Sequence, residues 1–256
     1  MPLSLIGAVV GLLIDGGRGL LVGALLGFVV ESFVRTKLRG TVRDMQAQFF
    51  QSTFAIMGAV CKADGVVTRD EIAVVEATFD RLQLSGQQRE SARADFNRGK
   101  AAGFDLDAEA DKLVRIQLGR TPLFQLFLQI QCTAVAADGI VHPAEHELLV
   151  RVARRLGLIE RDVEQIEALL RAAASGRSAA GEAVASRLAD AYTALGLSAD
   201  AAVADIKRAY RRLMSKNHPD KLAGKGLPES MRGVAEERTR EINVAYELIK
   251  NARQFV

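Results

Sequence analysis

Two stretches near the C-terminus carry an apolar residue at every third or fourth position. The apolar positions of residues 200–214 are Val203, Ile206, Tyr210 and Leu213. Those of residues 229–250 are Met231, Val234, Ile242, Ala245 and Ile249. This spacing places each set on one face of a helix. The pattern therefore predicts two helices that pack antiparallel, with a shorter segment at residues 188–195 lying across them.

The middle of the chain contains one pattern twice. The block Ala63-Asp64-Gly65-Val66-Val67 corresponds to Ala137-Asp138-Gly139-Ile140-Val141, and each block stands between stretches with helical spacing. Each copy therefore predicts a helix, an Asp-Gly turn and a second helix. The polar residues 85–120 between the copies predict further short helices. We expect the two copies to pack on each other as one all-α domain over residues 45–170.

Helix start signals explain several polar residues of this repeat. Thr68 followed by Glu71 is the pattern of a capping box, and Pro143 is typical of a first helical position, which places His142 outside the helix. His142-x-x-Glu145-His146 also matches the H-x-x-E-H pattern of zinc proteases. Two zinc-binding histidines at this spacing must share a helix face, which His142 would not do. We therefore expect His142 and His146 to be surface residues.

Residues 3–30 consist mostly of Leu, Val, Ile, Ala and Gly. As a helix they would be roughly 42 Å long, compared with about 30 Å for the hydrocarbon core of a bilayer. The segment is therefore a candidate transmembrane helix within an anchor at residues 1–34. Asp15 and Arg18 near its middle each cost about 2.5–3.5 kcal/mol, which the apolar residues roughly balance. The alternatives are a hairpin of two half-spans and a soluble apolar arm.

The residues around this segment predict its orientation. Four basic residues follow it, and no positive residue precedes it. The basic residues are Arg35, Lys37, Arg39 and Arg43. By the positive-inside rule, a single span would leave the short N-terminus outside and the C-terminal bulk in the cytoplasm. The glycines at 7, 11, 19, 23 and 27 form small-x-x-x-small faces, which favour a homodimer.

The composition excludes several classes of function. A net charge of +3, no Trp and 5% aromatic residues argue against a nucleic acid partner. Cys61 and Cys132 form no C-x-x-C pair, which excludes a zinc ribbon and a thioredoxin motif, and both are expected to be buried. Residues 171–187 are rich in Ala, Ser, Gly and charge without an apolar period, and they predict a flexible linker.

The polar side of residues 200–214 is basic. Lys207 with Arg211, and Arg208 with Arg212, are like-charge pairs that each cost an isolated helix roughly 0.2–0.5 kcal/mol. A cost without an acidic partner inside the segment indicates a partner outside it. The connection that follows contains His218-Pro219-Asp220, and Pro219 favours an extended conformation of His218 at the end of the helical pair.

These C-terminal features resemble the J domain of the DnaJ/Hsp40 co-chaperones, over residues 188–256. The matching blocks are Ala191-Tyr192-Thr193-Ala194-Leu195-Gly196-Leu197, Ile206-Lys207-Arg208-Ala209-Tyr210-Arg211, His218-Pro219-Asp220-Lys221 and Ile242-Asn243-Val244-Ala245-Tyr246. In that family the tripeptide and the basic face of the second helix contact an Hsp70 and stimulate its ATP hydrolysis. The resemblance implies an Hsp70-binding surface of His218, Pro219, Asp220, Lys207, Arg208, Arg211, Arg212 and Lys221.

The middle domain resembles the TerB-like helical family through its two Ala-Asp-Gly-(Val/Ile)-Val-x3-Glu blocks. Acidic residues have been proposed to form a metal site in that family. The resemblance would place a divalent metal at Asp64, Glu71, Asp138 and Glu145. The competing interpretation is that Glu71 and Glu145 only stabilise helix starts.

An apolar segment, a TerB-like domain and a C-terminal J domain occur in this order in the DjlA-type co-chaperones of Gram-negative bacteria. The resemblance implies a membrane-anchored co-chaperone that stimulates a cytoplasmic DnaK-type Hsp70 and is not itself an enzyme. The chain has no Gly/Phe-rich segment, so we expect local recruitment of an Hsp70 rather than the holding of many clients. The alternative is a metal-responsive or stress-signalling membrane scaffold that acts through the TerB-like domain.

Overall fold

Helices are the regular elements of the residues that the structure describes, in agreement with the all-α class predicted from the sequence. The computed structural model describes residues 44–65, 67–116, 121–136, 141–174, 181–224 and 227–255, together with residues 5, 6, 28 and 30. The residues from Phe49 onward form one compact unit.

The candidate membrane span at residues 3–30 lies outside the described residues except at four positions. Within the described part of the chain, no helix is both long enough and apolar enough to cross a membrane. The predictions of a span, of its orientation and of helix pairing through its glycines therefore stay predictions.

The helices follow one another without strands in the described ranges. Their bounds are α1 (44–60), α2 (Arg69–Arg81), α3 (Gly86–Gly99), α4 (Leu106–Ile116), α5 (Thr121–Val135), α6 (Pro143–Arg155), α7 (Glu160–Ala174), α8 (Gly181–Leu195), α9 (Val203–Asn217), α10 (Pro219–Ala223) and α11 (Arg232–Arg253). A 3₁₀ turn, Glu229–Met231, precedes α11.

The middle domain, α1 to α7, contains both copies of the repeat. α2 packs against α5, and α6 packs against both α5 and α7, so the two helix pairs share one hydrophobic cluster, as predicted. The polar region between the copies forms α3 and α4, also as predicted. In the first copy, Gly65 has a φ of +97°, a conformation that favours glycine and explains the Asp-Gly turn. The second Asp-Gly turn lies outside the described residues.

Two glycines allow α1 and α3 to cross at close range. A Cβ atom on Gly58 would lie 2.0 Å from the carbonyl oxygen of Phe96, and one on Gly99 would lie 1.8 Å from that of Ala55. Any side chain at either position would force the two helices apart. This close contact brings Phe54, Phe79 and Phe96 into the core, with the rings of Phe54 and Phe79 in edge-to-face contact at 5.1 Å.

The C-terminal helices α8, α9 and α11 form a second hydrophobic cluster. The rings of Tyr210 and Tyr246 stack with centroids 4.1 Å apart, which joins α9 to α11. α9 begins and ends three residues later than predicted, and the second predicted helix divides into the 3₁₀ turn and α11. The third begins at Gly181 rather than at residue 188, because its Ala-rich first half continues a helix that packs against α7.

The predicted linker at residues 171–187 overlaps two helices. α7 continues to Ala174 and α8 begins at Gly181, while residues 175–180 lie outside the described residues. Arg171 at the end of α7 pairs with Asp190 of α8, with its Nε atom 3.0 Å from Oδ1. Alanine favours helix wherever it has a packing partner, so Ala-rich composition alone did not define the helix ends.

Candidate functional site

His218 forms the junction between α9 and α10. Its φ of −60° and ψ of 127° are extended, as Pro219 predicted. Its Nδ1 atom accepts a hydrogen bond from the backbone N–H of Asp220 at 3.2 Å, so the imidazole caps α10. The His218 side chain is nevertheless 53% exposed. The capping bond therefore holds the ring of His218 through Nδ1, and about half of the side chain remains accessible to a partner.

Buried residues on both sides hold this turn in place. Asn217, at the last position of α9, is buried, and its Nδ2 atom donates to the carbonyl oxygen of Leu213 at 2.8 Å. Leu222 of α10 is only 1% exposed and anchors the short helix in the hydrophobic cluster of the middle domain. Neither residue belongs to the motifs that predicted this site. The apolar residue two positions after Asp220 is the signal that could have identified Leu222.

The acidic residue of the tripeptide is the most exposed part of the turn. The side chain of Asp220 is 70% exposed, and its Oδ1 atom lies 3.4 Å from a guanidinium nitrogen of Arg232 at the start of α11. Arg232 also pairs with Glu236 at 3.1 Å. Exposed pairs of this kind contribute about 0–1 kcal/mol, so Asp220 can exchange Arg232 for another cation at little cost. The neighbouring Lys221 contacts the hydroxyl of Ser215.

The basic residues lie on the outer side of α9, as the helical spacing predicted. Ile206 and Ala209 are buried on the opposite side, which fixes the rotation of the helix. Arg208, Arg211 and Arg212 are exposed, whereas Lys207 is partly buried, with its Nζ atom 5.6 Å from the centre of the Phe255 ring.

One premise about this basic face was wrong. Arg208 has an acidic partner inside α9, because its guanidinium lies 3.2 Å from Asp205. Asp205 and Arg208 are three residues apart in the sequence, a spacing at which opposite charges on a helix can pair. The pair is exposed and contributes a few tenths of a kilocalorie per mole, about 0.2–0.5 kcal/mol. For Arg211 and Arg212, no ion pair is found among the described residues. The prediction of an acidic partner outside the helix therefore still applies to these two residues.

The middle domain brings two of the four predicted metal-site residues together. Glu71 and Glu145 are both buried, and burial together with the carboxyls of Glu71 and Asp64 raises the pKa of Glu145 to about 7. Each also completes a capping box, as predicted for Thr68 with Glu71: the N–H of Thr68 donates to Glu71 at 2.7 Å, and that of His142 to Glu145 at 2.8 Å.

The described part of this site does not fit a metal ion. No group of three or more His, Cys, Asp or Glu side chains within the described residues is placed to hold one. Asp138 lies outside those residues, so its contribution stays a prediction. The arrangement that is described raises the pKa of Glu145, because burial and the neighbouring carboxyl of Glu71 disfavour its ionisation.

The two histidines of the H-x-x-E-H segment point to different partners. His142 is the N-cap of α6 and lies outside the helix, as Pro143 predicted, and its Nδ1 atom accepts from the N–H of Ala144 at 3.3 Å. His146 instead contacts Glu167 of α7, with 2.8 Å between Nδ1 and Oε1. His146 is partly buried rather than a surface residue.

Both domains match known families. Residues 51–168 match the family described as Tellurite resistance protein TerB, and residues 190–254 match the DnaJ domain. No solved structure matches the chain.

Relatives named Co-chaperone protein DjlA match most of the chain. It is 42% identical to Co-chaperone protein DjlA of Vibrio vulnificus over 229 residues, which cover 82% of this chain and 80% of that protein. It is 38% identical to Co-chaperone protein DjlA of Photobacterium profundum, covering 98% of this chain and 99% of that protein. For the protein of the same name from Yersinia pestis the identity is 37%, covering 98% of each chain. With a TerB domain, a C-terminal J domain and these relatives, the chain belongs to the DjlA family of J-domain co-chaperones.

Proposed function

We propose that the J domain of this chain binds a cytoplasmic DnaK-type Hsp70 and stimulates its ATP hydrolysis. The observation that carries the proposal is the exposed turn of His218, Pro219 and Asp220, anchored from below by Leu222 and placed at the end of a basic helix face. The carboxylate of Asp220 and the exposed arginines of α9 offer a partner negative and positive charges at a defined separation. The contribution of the chain is this contact, and the hydrolysis takes place on the partner.

The tripeptide is tested by adding the full chain to an Hsp70 ATPase assay. The chain should raise the rate of hydrolysis, and His218→Gln should return it to the basal rate. His142→Gln is the matched control, because His142 caps a helix through the same kind of bond and also precedes a proline. Absence of stimulation by the unsubstituted chain, or equal stimulation by His218→Gln, contradicts the proposal.

The basic face is tested separately by charge reversal. Arg211→Glu should raise the concentration that gives half-maximal stimulation and reduce its dependence on salt, because an exposed charge mainly steers association. Arg69→Glu reverses an equally exposed arginine at the start of α2 and should leave both quantities unchanged. If the two variants behave alike, net charge rather than the α9 face explains the effect.

The membrane anchor is a further part of the proposal. The apolar residues 3–30 followed by four basic residues support a single span, paired through its glycines, that holds the J domain on the cytoplasmic face of the inner membrane. A reporter enzyme fused after Val256 should then be active only when the reporter functions in the cytoplasm. Activity of a reporter that functions only in the periplasm would reverse the orientation, and a fusion found in the soluble fraction would refute the anchor.

A second function stays open for the middle domain. The match of residues 51–168 to the TerB family supports a metal-responsive or stress-signalling role, for which Asp138 would have to complete a site beside the buried carboxyls of Glu71 and Glu145. Titration of the full chain with calcium or zinc tests it, and the double variant Asp64→Ala/Asp138→Ala should lose any binding. No binding by the unsubstituted chain, or equal binding by the variant, would leave the helix-capping interpretation.

A further inference from the structure

The J domain does not complete its own hydrophobic core. Ala168 and Leu169 of α7, which belong to the middle domain, are at most 2% exposed and lie in the same cluster as Leu195, Ile242 and Ile249. α7 packs against both α8 and α11. One face of the J domain is therefore covered by the middle domain of the same chain.

A buried polar group joins the two domains beside this apolar contact. Gln129 of α5 accepts a hydrogen bond from a guanidinium nitrogen of Arg238 at 2.6 Å, and its Nε2 atom donates to Oε2 of Glu241 at 2.7 Å. The exposed fractions of Gln129, Arg238 and Glu241 are 3%, 7% and 8%. A single amide thus contacts two ionisable side chains of α11. We call these three residues the joint.

The joint satisfies its polar atoms incompletely. The Nε atom of Arg238 is buried and has no hydrogen-bond partner among the described residues. Arg98 in the middle domain provides a contrast, because it donates both to Glu109 and to Asp95. A buried guanidinium with an unmet donor weakens the state that buries it, and apolar side chains of similar size at such positions are often more stable. The joint therefore positions the J domain without holding it as firmly as an apolar contact would.

Docking leaves the proposed Hsp70 surface open. The side chains of His218 and Asp220 are 53% and 70% exposed with the J domain in place, and that of Arg208 is 76% exposed. The covered residues lie on α8, on α11 and at Leu222 of α10, which packs in the cluster of the middle domain. The docked state fixes the orientation of the tripeptide relative to the middle domain, and undocking would free that orientation and expose Leu222 next to the tripeptide.

We propose that the J domain docks reversibly on the face formed by α5 and α7 of its own chain, and that ionisation of Glu241 in the joint releases it. The released J domain would remain connected through residues 175–180. The docked J domain would then have one fixed orientation relative to the middle domain, and the released J domain would have a variable one.

The charged groups around Glu241 determine the direction of the pH effect. Arg238 and Glu237 face it from α11, Gln129 from α5 and Arg81 from α2, where Arg81 pairs with Glu237 at 2.6 Å. Cys132 of α5 and Asp162 of α7 act on Arg238. Burial, followed by the charge of Glu237, raises the pKa of Glu241 to about 7. Docking is therefore favoured while Glu241 is neutral and weakens as the pH rises through about 7.

The proposal is tested by measuring distances within the full chain. Ala94 of α3 and Ala204 of α9 are exposed, so the double variant Ala94→Cys/Ala204→Cys accepts two labels on the two domains. The native Cys61 and Cys132 are buried, and burial raises the pKa of both thiols, so neither competes for the label. The distance distribution should contain one narrow docked population at pH 5. The ratio of docked to released chains should fall by up to about tenfold per pH unit towards pH 7, as expected for one proton.

Substitutions in the joint separate the effect of Glu241 ionisation from the effect of the buried polar contacts. Glu241→Gln should remove the pH response while Glu247→Gln, on the same helix, keeps it. The triple variant Gln129→Leu/Arg238→Met/Glu241→Leu should stay docked at every pH. Gln131→Leu is its control, because Gln131 is an equally buried glutamine of α5 that donates to Thr53 inside the middle domain.

Three results would overturn the proposal. They are a single unchanged distance at every pH in the labelled chain, a pH response that persists in Glu241→Gln, and a smaller docked fraction in the apolar triple variant than in the labelled chain itself. None of these measurements uses an Hsp70, so their outcome is independent of the ATPase assay.

Discussion

Two histidines followed by proline cap helices in this chain, and only one belongs to the proposed binding surface. His142 and His218 each accept a hydrogen bond from the N–H two residues later, at 3.3 Å and 3.2 Å. The residue that donates this bond is Ala144 in one case and Asp220 in the other. The cap is therefore common to both sites, and the exposed carboxylate of Asp220 distinguishes the turn at His218 from the one at His142.

Removal of that carboxylate should affect function without affecting the fold. Asp220→Asn keeps the backbone N–H that donates to Nδ1 of His218 and loses only an exposed ion pair, worth about 0–1 kcal/mol. We expect an unchanged melting temperature in circular dichroism and loss of Hsp70 stimulation. A variant that unfolds would show that Asp220 has a structural role instead.

Glu145 should make the stability of the middle domain depend on pH. Its pKa is raised to about 7 from an ordinary value of 4.5, mainly by burial. A carboxyl kept neutral in the fold contributes its full stability below about pH 4.5, and this contribution is lost as the pH rises through 7. Glu145→Gln retains an oxygen that can accept from His142 and should gain roughly 1–3 kcal/mol relative to the unsubstituted chain between pH 4.5 and 8.

Urea unfolding of the full chain at several pH values measures this difference. Glu147→Gln is the control, because Glu147 is exposed on the same helix. A stability difference between Glu145→Gln and the unsubstituted chain that does not change with pH would show that Glu145 is ionised in the fold throughout this range.

At the scale of elements, α7 belongs to two hydrophobic clusters. Val163 and Ile166 lie in the cluster of the middle domain, and Ala168 and Leu169 lie in that of the J domain. On its polar side, Glu167 contacts His146 of α6, and Arg171 contacts Asp190 of α8. The stability of both domains therefore depends on the packing of α7.

Truncations at two positions of α7 should affect different domains first. Leu169→Ala should cost about 2–5 kcal/mol and increase hydrogen exchange in α8 and α11. Val163→Ala removes less side chain and should increase exchange mainly in α5 and α6. If both substitutions increase exchange equally throughout, the two domains unfold as a single cooperative unit.

The predictability of these elements depended on how local their signals were. Thr68 with Glu71 and Pro143 predicted two helix starts, and the structure confirms both because capping acts within four residues. The contacts of Gln129 with Arg238 and Glu241 join residues more than a hundred positions apart, and no local pattern indicates them. The sequence pattern predicts a linker over the last turn of α7, because Arg171 and the three alanines that follow it do not continue the apolar stripe of the helix.

At the scale of the whole molecule, the J domain should be less stable alone than in the chain. A fragment of residues 181–256 lacks Ala168 and Leu169 and exposes Ile242 and Ile249, which the chain buries. Its urea midpoint should be lower than that of a fragment of residues 158–256, which includes α7. Equal midpoints would mean that α7 adds nothing to the J domain core.

The double membership of α7 has a consequence for how such proteins can be recombined. A J domain taken from an unrelated co-chaperone and joined after residue 187 would meet a surface shaped for Ile242 and Ile249, and it would leave Leu169 in water. A functional chimaera should therefore exchange α7 together with the J domain, or exchange neither. The group of helices that packs together at this end of the chain is one helix longer than the J domain itself.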